Sequence, residues 1–181
     1  MAEMVNVLDK NGKVTGSAMR DVVHRDGQWH RGIHVLVFDD KKRVLLPIRS
    51  IKKSLFPGCY DVSVSEHVME GEEYADAAKR GLNEELGVEN TALTPLAEIK
   101  MSYALTDNHF SMIYSCMSSG KVELDKEEIE SAEFVSVATI KALLSKSPEK
   151  FSSWAAEIYK WLFGETTQIE VVREFSGKKG I

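Results

Sequence analysis

The sequence is poor in the features that mark secreted, membrane-spanning and nucleic-acid-binding proteins. Its two cysteines, Cys59 and Cys116, cannot form a disulfide framework, so a reducing compartment is expected. No stretch approaches the roughly 20 apolar residues of a membrane span, and the amino-terminal residues lack a signal-peptide pattern. The formal net charge of −5 argues against nonspecific binding to nucleic acid, which needs a basic surface. We therefore expect a soluble, cytoplasmic protein that binds neither membranes nor nucleic acid.

What the chain does contain is typical of a globular domain with a sizeable core. Apolar residues make up 43% of the chain and charged residues 28%, without internal repeats or low-complexity linkers. Apolar patterns predict strands at residues 5–8, 14–17, 33–38, 44–48, 60–64, 97–103, 110–116 and 133–135. Helical patterns cover residues 20–24, 73–86, 136–144 and 151–163, and residues 176–181 are expected to fray. This order of elements predicts an α+β fold built around a mixed sheet.

The helix at residues 73–86 has the clearest pattern in the sequence. Its apolar residues recur at helical spacing and define one buried face: Tyr74, Ala77, Ala78, Leu82 and Leu86. Gly87 follows at once, where a glycine in the left-handed conformation would end the helix.

The same segment, GEEYADAAKRGLNEELGV at residues 71–88, contains candidate metal-binding carboxylates. Glu84 and Glu85 lie at the end of the helix, Arg80 can pair with Glu84 one turn away, and Glu72 enters from the preceding loop. Convergent carboxylates suit Mg²⁺ or Mn²⁺, and these cations suit phosphate substrates. A solvated acidic helix with a surface ion pair is the common alternative for such a charge run, and the charges alone leave both interpretations open.

The spacing of this segment resembles the Nudix box. The matching positions are Glu72, Arg80, Leu82, Glu84, Glu85, Gly87 and Val88. The resemblance implies a Nudix-like α/β/α sandwich around a mixed β-sheet, in one domain of residues 1–181. Within that domain we expect a core at about 30–145, an N-terminal hairpin extension and a C-terminal helix. It further implies metal-dependent hydrolysis, with Glu84, Glu85 and Arg80 in catalysis and Glu84, Glu85 and Glu72 as metal ligands.

Two positions depart from the Nudix box. Glu66 stands where the box opens with glycine, and Gly81 stands where a glutamate should follow the arginine. In the family that glutamate is commonly a metal ligand and sometimes the general base. The metal site is therefore expected to have fewer ligands than usual, or to be completed by residues outside the box. Replacing Gly81 with glutamate is expected to stabilise the helix by up to ~1 kcal/mol and to improve hydrolysis.

A replacement for the missing carboxylate is expected from the acidic segment before residues 133–135. Its candidates are Glu127, Glu128 and Glu130, because many Nudix enzymes draw a carboxylate from this neighbourhood. We take Glu128 as the catalytic candidate. If one of these glutamates already acts as the base, a glutamate at position 81 would be neutral or harmful.

Roughly residues 5–160 resemble the Nudix branch related to isopentenyl diphosphate isomerase. In that branch Arg49 and Lys53 fall in the stretch that binds diphosphate, so we expect both to bind substrate. His24, His30 and His67 match three histidine ligands of a second metal site, but the carboxylates that complete it are missing. Ser65 replaces the isomerase cysteine, and residues 107–110 lack its glutamates. These differences argue against isomerase activity, since a serine hydroxyl is a poor acid or base near neutral pH.

Three functions therefore remain open from the sequence. The leading hypothesis is a hydrolase of a nucleoside diphosphate derivative or a prenyl diphosphate, acting as a monomer or homodimer. An isomerase-like enzyme is the second, and a catalytically impaired ligand-binding or interaction module is the third. The last is favoured by the two departures from the box, at Glu66 and Gly81.

Overall fold

A computed structural model describes residues 3–104, 106–118 and 121–175 of the chain. Within these ranges the strands β1 to β9 are Met4–Leu8, Val14–Met19, Trp29–Phe38, Val44–Arg49, Val64–His67, Thr94–Ala104, Asp107–Met117, Ile129–Val135 and Glu170–Glu174. The α-helices α1 to α4 are Arg20–Asp26, Tyr74–Leu86, Val137–Lys146 and Ser153–Leu162. Among them, no helix has the length and apolar content needed to cross a bilayer. Residues 176–181, which we expected to fray, lie outside the described residues.

Strand β3 is the centre of a mixed sheet. It pairs in parallel with β7 over its whole length, from Trp29 opposite Asn108 to Phe38 opposite Met117. Its other edge is shared in turn by β1, β5 and β4, all antiparallel to it. The sheet continues from β7 through β6 to β9 on one side, and from β1 to β2 on the other. The result is that β5, which carries Glu66, lies beside the central strand.

Helices cover both faces of this sheet, and the alternation of side chains along β3 divides the core in two. Ile33, Val35 and Val37 pack in one buried cluster with the apolar face of α2. Leu36 and Phe38 point the other way, into a cluster that includes residues of α3 and α4. The predicted α+β sandwich around a mixed sheet is therefore confirmed.

Several local predictions also hold. Helix α2 ends at Gly87, which adopts φ 62° and donates its N–H to the Asn83 carbonyl, as a left-handed helix cap should. Helices α3 and α4 begin after Ser136 and Ser152, whose side chains accept hydrogen bonds from backbone amides of the first turn. Strand β9 is not among the predicted strands, and its residues are exposed throughout.

The predicted strand at residues 60–64 is wrong, since β5 begins only at Val64. Ser63 provides the physical reason. Its hydroxyl accepts from the Val37 amide at 2.9 Å and donates to the Leu45 carbonyl at 2.7 Å. A side chain thus supplies the hydrogen bonds that a strand's backbone would make.

Helix α2 approaches β5 closely at Gly81. A Cβ atom at this position would lie 2.8 Å from Cγ1 of Val64 and 2.8 Å from Cγ of Glu66. Carbon atoms in comfortable contact stand about 3.5–4.0 Å apart. The expectation that glutamate at position 81 would stabilise the helix is therefore wrong, because the space beside Gly81 is already filled.

Replacing Gly81 with alanine is expected to lower the free energy of unfolding by about 1 kcal/mol. A glycine in a helix interior costs about 1 kcal/mol relative to alanine, but overpacking a buried contact costs roughly 1–3 kcal/mol. Urea unfolding measures the difference. Asn83→Ala, on the exposed side of α2, is the control and should be neutral or slightly stabilising. Stability equal to wild type in Gly81→Ala would contradict the close contact.

Candidate functional site

A pocket of about 420 Å³ opens beside β5, within the size range of small-molecule sites. One part of its wall carries carboxylates, including Glu66, Glu85 and Glu128. Another part carries imidazoles, including His67 and His109. The pocket therefore combines two kinds of potential metal ligand, hard oxygen and imidazole nitrogen.

The guanidinium of Arg80 ties α2 to the segment in front of it. Its Nε donates to Glu72 Oε1 at 3.0 Å, and its Nη2 donates to the His67 carbonyl at 2.8 Å. Its Nη1 donates to Glu66 Oε2 at 3.1 Å and to Glu84 Oε2 at 3.2 Å. One planar cation thus fixes three carboxylates and a strand carbonyl, which is a task that suits the donor fork of arginine.

Glu72 and Glu84 do not join Glu85 in the pocket. Both oxygens of Glu72 are occupied, by Arg80 and by the Met69 amide. The side chain of Glu84 is 57% exposed and pairs with Arg80. Successive helical residues point about 100° apart, so only one of the adjacent glutamates can face the pocket. The predicted pairing of Arg80 with Glu84 is confirmed, but the expected cluster of Glu72, Glu84 and Glu85 is not formed.

Glu85 is the glutamate of α2 that faces the pocket. It is 8% exposed, and its Oε1 atom is buried without a hydrogen-bond partner among the described residues. Burial raises the pKa of Glu85 well above its ordinary value of 4.5, and the neighbouring charges of Glu66 and Glu128 raise it further. A buried carboxylate with an unused oxygen is costly unless a cation or proton is supplied.

Helix α2 also positions Glu128. The last carbonyls of an α-helix lack partners within the helix. Here the carbonyls of Glu85 and Leu86 accept from the amides of Asp125 and Glu123 at 3.0 and 2.9 Å. This pins the acidic segment across the helix end, and the Ser50 amide then donates to the Glu128 carbonyl at 2.9 Å. Glu128 therefore lines the pocket as expected for the catalytic candidate, whereas Glu130 does not.

Most acidic residues of the pocket have a cationic partner. The pairs are Glu3 with Arg20, Asp61 with Arg49, Glu66 with Arg80, Glu127 with Lys52 and Glu128 with Lys53. Asp107 pairs with His24 and His109. In the part of the chain that the structure describes, Glu85 has no such partner.

The expected substrate-binding residues, Arg49 and Lys53, both line the pocket, but neither is free. Arg49 Nη1 donates to Asp61 Oδ2 at 2.6 Å, and its guanidinium carbon lies 5.0 Å from the ring centre of Trp154. Lys53 pairs with Glu128. Arg49 thus belongs to the wall, whereas Lys53 can exchange its partner for a phosphate that enters the pocket.

Four histidines form a cluster at the pocket: His24, His67 and His109 line it, and His30 lies beside them. Their candidate ligand atoms all lie within 4.8 Å of one another. His109 is an addition to the three that the sequence comparison suggested. It enters from β7, where it lies opposite His30, and its Nδ1 would be 2.6 Å from a Cβ atom built on Gly32.

The hydrogen bonds of this cluster leave nitrogen atoms unused. His30 Nδ1 donates to the Gln28 carbonyl at 3.0 Å, and His109 Nε2 donates to Asp107 Oδ1 at 2.6 Å. The other nitrogens, His30 Nε2 and His109 Nδ1, are buried without partners among the described residues. Burial lowers the pKa of His30 to about 3, so its imidazole is neutral near pH 7. Neutral imidazoles oriented by a second hydrogen bond are typical ligands of transition metals.

Ser65, which the resemblance matches to the isomerase cysteine, lines the pocket. Its hydroxyl is 3.1 Å from His34 Nδ1, and His34 Nε2 is 2.9 Å from the Tyr103 hydroxyl. Burial lowers the pKa of His34 to about 3 and raises that of Tyr103 above its ordinary range. The three groups form a neutral hydrogen-bonded chain, which is poorly suited to accept or release a proton near pH 7.

Sequence reasoning missed Glu66 and His109 as members of the pocket. In the sequence, Glu66 stands out only as a departure from the Nudix box, although its exchange with Gly81 is visible there. His109 stands two residues after Asp107 in a strand, so both side chains lie on the same face. That period of two was the signal that could have placed His109 beside the other imidazoles.

Comparison with known proteins gives a consistent result. A family model of the NUDIX domain matches residues 28–162. The isopentenyl-diphosphate Delta-isomerase of Streptomyces avermitilis is 30% identical over 159 residues, which cover 84% of this chain and 80% of that protein. An uncharacterised Nudix hydrolase of Pseudomonas aeruginosa is 28% identical over 134 residues, covering 74% and 79%. A crystal structure of a protein from Deinococcus radiodurans has a TM-score of 0.76 at 27% identity, covering 88% and 98%.

Glu85 predicts how the stability of the metal-free protein depends on pH. Its pKa in the folded state is raised above the ordinary 4.5, so the folded protein binds the proton more tightly than the unfolded chain. Stability should therefore fall as pH rises from about 4.5 to the folded-state pKa. Glu85→Gln removes this loss, so its melting temperature in a chelator should exceed that of wild type at about pH 8, with a difference that narrows toward about pH 5. A difference independent of pH would contradict this assignment.

The histidine cluster predicts binding of a transition metal. Co²⁺ should bind the purified protein with the visible absorption bands of a low-coordinate nitrogen site, and His109→Ala should weaken binding at least about tenfold. His34→Gln, outside the cluster, is the matched control for loss of a buried histidine. Equal Co²⁺ affinity in wild type and His109→Ala would exclude His109 as a ligand.

Proposed function

This chain belongs to the NUDIX domain family, and on that premise we propose that it hydrolyses a diphosphate-containing small molecule with the help of Mg²⁺ or Mn²⁺. The observation that carries the proposal is the buried carboxylate of Glu85. Its Oε1 has no hydrogen-bond partner among the described residues, and it faces a pocket that also contains Glu128. A divalent cation would satisfy this oxygen and offset the charge.

The carboxylates present fit a hard divalent cation, because such ions prefer oxygen ligands. We assign Glu85 as the principal ligand and Glu128 as a catalytic carboxylate beside it. When bound, such a cation would neutralise charge on the diphosphate. Glu128 is suited to accept a proton from the attacking water, since its carboxylate shares the pocket and is 34% exposed. Glu72 and Glu84 act indirectly, by holding Arg80.

Lys53 is the best candidate to bind the diphosphate. Its ammonium group is paired with Glu128 and lies at the pocket. An incoming diphosphate would compete for the ammonium and release Glu128, which would couple substrate binding to exposure of the proposed base. Arg49 contributes by its positive charge and by shaping the wall with Asp61 and Trp154.

The rest of the substrate is proposed to be either a nucleoside or a prenyl group. Tyr103 and Trp154 line the same pocket and offer apolar ring surface to either one. Isomerisation of a prenyl diphosphate is the second candidate, because an isomerase is among the relatives and three of the four clustered histidines line the pocket. The hydroxyl of Ser65 in place of a thiol counts against it.

The decisive experiment follows a panel of nucleoside diphosphate derivatives and prenyl diphosphates by phosphorus and proton NMR, with Mg²⁺ or Mn²⁺. We expect new phosphate-ester signals from at least one compound. Glu85→Gln should lower the rate at least about tenfold, which corresponds to ~1.4 kcal/mol of transition-state stabilisation. Glu89→Gln, an exposed carboxylate just beyond α2, is the matched control and should retain wild-type turnover.

Each alternative outcome points to a different function. Migration of a double bond in the prenyl diphosphate, without new phosphorus signals, would assign an isomerase. Binding of Mn²⁺ without any turnover across the panel would favour the ligand-binding module over both enzymes.

A further inference from the structure

The two residues that depart from the Nudix box lie against each other. Glu66 is on β5 and Gly81 is on α2, fifteen positions apart in the chain. A Cβ atom built on Gly81 would lie 2.8 Å from Cγ and 3.6 Å from Cβ of Glu66. The stem of the Glu66 side chain therefore fills the volume in which a side chain at position 81 would begin.

Glu66 lines the pocket, and both its backbone and its carboxylate are held in place. Strand pairing fixes its backbone, since Glu66 lies opposite Ile33 of the central strand β3. Arg80 Nη1 then donates to Glu66 Oε2 at 3.1 Å, and the side chain is 23% exposed. Both constraints come from groups that are themselves fixed, so the orientation of this carboxylate is well determined.

Glu66 also lies close enough to the other pocket carboxylates to share a charge environment with them. Glu66, Glu85 and Glu128 all line the same pocket. Among these three, Glu85 alone has no cationic side chain paired with it in the described parts of the chain. A third carboxylate beside an unpaired buried one increases the need for a cation.

We propose that Glu66 supplies, from strand β5, the metal-binding carboxylate that helix α2 lacks at position 81. The exchange of glycine and glutamate between two facing positions would then preserve the number of carboxylates at the site while changing the element that carries one of them. The inference rests on the cation site of the proposed function, with Glu85 as principal ligand. The proposal replaces the expectation that Gly81 leaves the metal site with one ligand fewer.

Binding of Mn²⁺ alone, measured by titration calorimetry, tests the proposal without any assay of activity. Glu66→Gln keeps the shape of the side chain that packs on Gly81 and removes only the charge. We expect it to weaken Mn²⁺ binding at least about tenfold, as loss of a charged ligand should. Glu89→Gln removes an equally charged but exposed carboxylate and should bind Mn²⁺ like wild type.

A reciprocal exchange separates a ligand from a partner of Arg80. In Glu66→Gly with Gly81→Glu, the stem at position 66 no longer blocks position 81, and the carboxylate moves to the helix. Cγ1 of Val64 still lies 2.8 Å from the new Cβ atom, so the Val64 side chain has to shift. We expect this double variant to regain Mn²⁺ affinity to within a few-fold of wild type. Gly81→Glu alone should melt at a lower temperature, because the two side chains compete for one volume.

The outcomes distinguish this proposal from the proposed function. If Glu66→Gln binds Mn²⁺ like wild type while Glu85→Gln does not, the assignment of Glu66 fails and the cation site stands. If neither substitution changes Mn²⁺ affinity, the cation site itself is refuted. If Glu66→Gln weakens binding but a folded double variant does not regain it, Glu66 serves only to hold Arg80. If the double variant does not fold, the proposal stands or falls on the Glu66→Gln titration.

Discussion

The guanidinium of Arg80 is the constraint on which the geometry of the pocket depends. It donates hydrogen bonds to carboxylates from the loop before α2, from β5 and from α2 itself, and it also donates to the carbonyl of His67. A cation that satisfies so many acceptors fixes the helix relative to the strand beside it. Glu84 pairs with Arg80, whereas its neighbour Glu85 points about 100° away along the helix and faces the pocket. The two adjacent glutamates therefore have different roles.

Much of the fold was predictable because its signals are local. Helical periodicity located α2, and Gly87 marked its end, since both depend on residues within one or two turns. The ion pair between Arg80 and Glu84 was predictable for the same reason. The beginning of β5 was not, because it depends on the hydroxyl of Ser63 bonding to two other strands.

The composition of the site was less predictable, since it depends on contacts between distant elements. A motif describes residues along one segment of the chain, and judged by the motif alone Gly81 means that one carboxylate is missing. The contact between Gly81 and Glu66 belongs to the packing of a helix on a strand, which no spacing rule describes. His109 was overlooked for a related reason, because it reaches the other imidazoles across the parallel pairing of β3 with β7.

The contact between Gly81 and Glu66 also restricts the routes by which such a sequence can arise by single substitutions. An ancestor with the ordinary order of the two residues must pass through one of two intermediates. One has glutamate at both positions and forces two side chains into one volume. The other has glycine at both positions, leaves a void and lacks both carboxylates. Either single substitution is thus unfavourable alone and becomes acceptable only when the other substitution is also present. The two positions are therefore epistatic and should change together within a lineage.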